Sequence, residues 1–100
     1  MVRQPVPSIR REHYNAFLRI RTLRIPDRIA QWDRERADDL ARIRRSGHIA
    51  VLVEINPDEF AAFCRERGCP ADFDAMQALV VEKFRGQGNA RTEAGIPGAR

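Results

Sequence analysis

The stretch whose reading decides the fold is His48-Ile49-Ala50-Val51-Leu52-Val53-Glu54-Ile55, or HIAVLVEI. Its period is 2. Ile49, Val51, Val53 and Ile55 fall on one side of an extended chain, and His48, Ala50, Leu52 and Glu54 on the other. The flanking sequence has helical period, so this is the one strand the pattern predicts. A strand cannot stand alone, because its backbone donors and acceptors need partners. Three partners are conceivable: the arm at residues 2–9, the sheet of a different protein, or the same segment of a second chain. Pro5 and Pro7 restrict the arm to an edge at best. The expected partner is therefore a second copy.

Working upstream, residues 1–8 read as an extended arm. From Ser8, a residue able to cap, a helix is expected to about Leu23, with Ile9, Ala16, Phe17, Ile20 and Leu23 near one face. Pro26 stops it. A second helix opens at Pro26 or Asp27 and closes at Ser46-Gly47. Its stripe holds Ile29, Trp32, Leu40 and Ile43, with Arg36 in the middle. Arg36 either lays its aliphatic stem on apolar surface with its head in solvent or is paired at an interface.

Downstream, Asn56 caps a third helix, with Pro57 at its first position and Glu59 placed to complete a capping box. Phe60, Phe63 and Cys64 form its inner face and Gly68 ends it. Pro70 and Asp72 open a last helix striped by Phe73, Met76, Leu79, Val80 and Phe84. Residues 86–100, rich in glycine and without apolar period, read as a flexible tail. The fold expected is mainly α: two N-terminal helices followed by one β-strand and two helices, the strand paired across a homodimer. Residues 9–85 form one compact domain, a basic helical pair (9–47) followed by a strand-helix-helix unit (48–85).

Charge is divided along the chain. Residues 1–47 carry twelve Arg against six Asp or Glu, whereas residues 48–85 carry four basic and seven acidic side chains. Such asymmetry points to an anionic partner for the first half, or to attraction between the halves. The longest apolar run, residues 49–53, is far short of the roughly 18 residues of a membrane span. The N-terminus lacks the apolar segment of a secretory signal, and a cytoplasmic setting with no membrane partner is expected.

No catalytic constellation is legible. Ser8 and Ser46 fit helix boundaries, and no glycine-rich phosphate loop follows a strand. Cys64 and Cys69, in CRERGC, lack two further ligands nearby for zinc and read as free thiols. The expectation is a non-enzyme with no metal and no cofactor.

The segment HIAVLVEI, the PDEF helix opening, the Gly68 stop and PADFDAMQALVVEKF together resemble the ribbon-helix-helix family of small DNA-binding repressors. The resemblance covers residues 48–85. It implies that two chains pair their strands antiparallel and intertwine their helices. The implied dimer interface is Ile49, Val51, Leu52, Val53 and Ile55 with Phe60, Met76 and Val80. In that family the outward side chains of the ribbon read DNA. Here those are His48, Ala50, Leu52 and Glu54, and a carboxylate there opposes phosphate. Nucleic-acid contacts are therefore expected from the arginines ahead of the strand: Arg3, Arg10, Arg11, Arg19, Arg21 and Arg24. Two readings of function stand side by side. One is a small dimeric nucleic-acid-associated protein touching phosphates through these arginines. The other is a protein-interaction or assembly module with an acidic partner or a second copy.

Overall fold

In the computed structural model, which describes residues 2–87, six elements follow one another. They are β1 (Arg3–Ile9), α1 (Arg11–Leu18), α2 (Ile29–Arg45), β2 (Ile49–Ile55), α3 (Pro57–Arg67) and α4 (Phe73–Gln87). A strand comes first, which corrects the expected order of two helices ahead of a single strand. Residues 88–100, most of the expected tail, lie outside the described residues.

The partner of β2 is β1 of the same chain. The two run parallel, from Arg3 opposite Ile49 to Ile9 opposite Ile55. This overturns the pairing of HIAVLVEI with a second copy and removes the unpaired strand that motivated it. Parallel strands need a long crossover, and α1 and α2 supply it.

The prolines that argued against β1 turn out to be harmless for a geometric reason. Ile49 N–H donates to Val2 C=O at 2.9 Å. In a parallel ladder alternate residues face the partner, so Val2, Gln4, Val6 and Ser8 turn their backbone groups toward β2. Pro5 and Pro7 fall between them, where an N–H would have pointed away from the sheet. They delete no rung and blunt the outer edge.

With Ser8 in β1, α1 starts later than expected. Its N-cap is Arg10, in extended conformation and with no side-chain cap bond. It also stops early, because the amides of Arg19 and Ile20 turn back to the carbonyls of Ala16 and Phe17 at 3.3 and 3.1 Å. The third helix matches its signals. Asn56 accepts from Glu59 N–H while the Glu59 carboxylate accepts from Asn56 N–H, both at 2.8 Å. Gly68 ends it with φ +63, a conformation that other residues adopt only with strain.

The small sheet is covered on both faces. On one, Ile9, Val51, Val53 and Ile55 join Tyr14, Phe17, Trp32, Phe60, Met76 and Val80 in the main core. On the other, Val6 and Ala50 meet Ile43 and Leu40 of α2. Ala50, expected on an open face, is fully buried, while its neighbour Leu52 remains 40% exposed. Of the residues expected at a dimer interface, Val51, Val53, Ile55, Phe60, Met76 and Val80 are buried inside the chain's own core, and Ile49 packs against it. Leu52 alone of the eight is exposed. No helix among the described residues is long and apolar enough to cross a membrane.

Candidate polyanion-binding surface

Helix α1 is amphipathic, with Tyr14 and Phe17 buried and Arg11, Asn15 and Arg19 exposed. The last three are spaced four apart, so they form one outward stripe. The chain then enters the connection to α2, residues 19–28, where basic and apolar residues interleave. Leu23 is buried, and Ile20 and Ile25 pack against the core. Arg21, Arg24 and Arg28 are exposed between and beyond them.

This connection is pinned as well as anchored. Thr22 Oγ1 donates to the carbonyl of Ala71 at 2.6 Å, tying it to the turn before α4. Tyr14 Oη donates to the carbonyl of Pro26 at 2.6 Å, tying it to α1. Tyr14 also lies against Trp32, ring centroids 6.1 Å apart. Burial, reinforced by the charge of Glu35, pushes the Tyr14 phenol up to about 12, so it stays a hydrogen-bond donor at neutral pH. The arginines therefore project from a segment held in one conformation.

Their charges are largely unanswered. Residues 10–28 hold six arginines against Glu12 and Asp27. Arg10 is engaged, with Nε 3.0 Å from Glu12 and Nη1 3.6 Å from Glu54. Arg11, Arg19, Arg21, Arg24 and Arg28 are exposed and make no ion pair among the described residues. Arg28 was missed because it was read as the interior of a helix start; it is the α2 N-cap, in extended conformation. Arg3 does not belong to this group. It opens β1 whereas Arg10 follows its end, and a strand of this length spans about 20 Å. Of the six arginines picked from sequence, Arg11, Arg19, Arg21 and Arg24 are exposed without an ion pair among the described residues, Arg10 is engaged, and Arg3 stands at the far end of β1.

Helix α2 makes the contrast. Asp39 takes Arg36 Nε at 3.0 Å and Arg42 Nη2 at 2.6 Å. The Arg36 guanidinium lies 4.2 Å from the Trp32 ring centroid, and its side chain is only 14% exposed. Neither expected reading of Arg36 describes this, because the head itself stacks on an aromatic face within the chain. Asp39 so answers two arginines within the helix, and Arg36 also faces the Phe73 ring of α4 at 5.8 Å, while Arg34, Arg42 and Arg45 remain exposed. No family model, curated protein or solved structure matches the chain.

Proposed function

We propose that the chain is a non-enzymatic, intracellular nucleic-acid-binding protein that grips the phosphate backbone through Arg11, Arg19, Arg21, Arg24 and Arg28. The observation that carries this reading is the row of five exposed, unanswered arginines on a conformationally pinned segment. With the backbone of the connection tied at two points, the ordering cost falls on the arginine side chains, whose planar forks match phosphate oxygens. Neither base-edge readers nor a sequence preference are part of the proposal. Phosphate contacts confer affinity and register, and sequence would be read elsewhere if at all.

The measurement is anisotropy of a labelled random duplex against salt. If all five arginines meet phosphates, the log–log salt slope should approach about −4.5. The triple variant Arg21→Glu, Arg24→Glu, Arg28→Glu should lose on the order of 100-fold or more at low salt. Arg65→Glu, an exposed arginine on α3, should change affinity by much less. A chain that binds neither duplex nor single strand at roughly 50 mM salt does not have this function. Binding only to an acidic protein would favour the assembly reading instead.

A further inference from the structure

The end of α3 carries a chemistry that the arginine surface does not use. Its amides close a two-bond stop: Gly68 N–H reaches Arg65 C=O at 3.3 Å and Cys69 N–H reaches Cys64 C=O at 3.1 Å. In that motif the residues joined by the outer bond also bring their side chains together, normally as an apolar contact. Here both are cysteines, and both are free thiols. The Cys64 sulfur lies 4.0 Å from the carbonyl of Pro70, the residue that follows Cys69.

The two sulfurs differ in access. Cys64 is buried at 7% exposure, while Cys69 is partly open. Cys69 also lines a groove of about 760 Å³ between α3 and α4, shared with Phe63, Arg67, Ala78 and Arg85. The groove gives a small reagent a path to one thiol only. Its charged lining balances, with Arg67 paired to Glu82 and Asp74 offsetting Arg85, so access rather than charge decides which reagent enters.

We propose that Cys64 and Cys69 form a thiol–disulfide exchange site, in which Cys69 first attacks a small disulfide of the glutathione class and Cys64 resolves the adduct. The steps balance. Cys69 gives its proton to solvent, and its thiolate attacks one sulfur of the disulfide, expelling one glutathione thiolate. Cys64 then loses its proton and attacks Cys69 Sγ, forming the Cys64–Cys69 bond and expelling the second glutathione thiolate. The protein dithiol is oxidised by two electrons, and one disulfide is reduced to two thiols. Burial pushes the Cys64 thiol above its ordinary value, so the closing step accelerates as pH rises.

Oxidised glutathione is the probe, and mass spectrometry with thiol titration reads the full-length chain. Wild type should lose both free thiols and both thiol hydrogens within one chain, with no glutathione retained at the end point. Cys64→Ser should stop as a stable glutathione adduct on Cys69. Cys69→Ser should react about tenfold or more slowly, because its remaining thiol is buried. A wild-type end point that keeps glutathione, or a disulfide between chains, overturns the proposal. Wild type alone decides this, so a poorly folded variant does not protect it.

Discussion

The chain contains two strand-to-helix passages, and they are built in opposite ways. From β2 into α3, every boundary is written locally: Asn56 and Glu59 cap each other's amides, Pro57 takes the first turn, and Gly68 turns the chain out. From β1 into α1, almost nothing is. Prolines sit in the strand, Arg10 occupies the cap without a cap bond, and the helix runs only eight residues. The first passage is specified by short-range bonds. The second is specified by burial of Val6, Ile9, Tyr14 and Phe17 against distant partners. The weakly punctuated passage is also the one followed by the arginine row. Six of the ten exposed positions in residues 10–28 are arginine.

The largest test of this contrast uses proline itself. Val6→Pro removes an N–H that faces β2, crowds a buried position, and should cost about 3 kcal/mol or more in chemical denaturation. Pro5→Ala, at a half-buried position one residue earlier, should change stability by no more than about 1 kcal/mol, since no rung depends on it. Comparable losses from both would show that the register is not the one described.

Next in size is the tie that holds the arginine-bearing connection. Tyr14→Phe keeps the ring and removes the bond to Pro26, an expected loss of about 1 kcal/mol. The phenol's folded value, about 12, lies above the 10.0 of the free side chain. The stabilising contribution of the neutral phenol is thus complete below pH about 10 and is lost as pH rises toward 12. An alkaline titration of wild type should show that decline, and Tyr14→Phe should flatten it. An unchanged profile would remove Tyr14 from the account.

The smallest effects compare the caps directly. Asn56→Ala should cost about 1 kcal/mol, because the Glu59 amide loses the Oδ1 that caps it. Arg10→Ser should instead gain a few tenths of a kcal/mol or more by supplying a cap that α1 lacks, against the loss of weak exposed pairs to Glu12 and Glu54. Thermal melts of both variants read the difference. If Arg10→Ser destabilises as much as Asn56→Ala, the two passages are not as unlike as the structure indicates.

These differences explain what could be read early. β2, α3 and α4 were placed almost to the residue, because period, caps and glycine stops agree there. α2 was placed nearly as well. β1 was hidden because proline's prohibition depends on which way an amide faces, and facing depends on a partner 46 residues away. Ser8 was misassigned in consequence, as a cap where the chain is still extended. Within the candidate site, Arg11, Arg19, Arg21 and Arg24 were legible by charge alone. Arg28 was not, and neither was the exclusion of Arg3.

The sequence by itself determined the strand HIAVLVEI, the three helices around it, the charge division and the two closely spaced cysteines. All follow from interactions within about one helical turn or one strand face. Only the tertiary structure decided that the strand's partner lies in the same chain, that its dimer-like seam is an internal core, and which arginines are engaged in ion pairs. The first two outcomes depend on contacts between segments far apart in sequence, where burial of a shared core outweighs what each segment prefers alone.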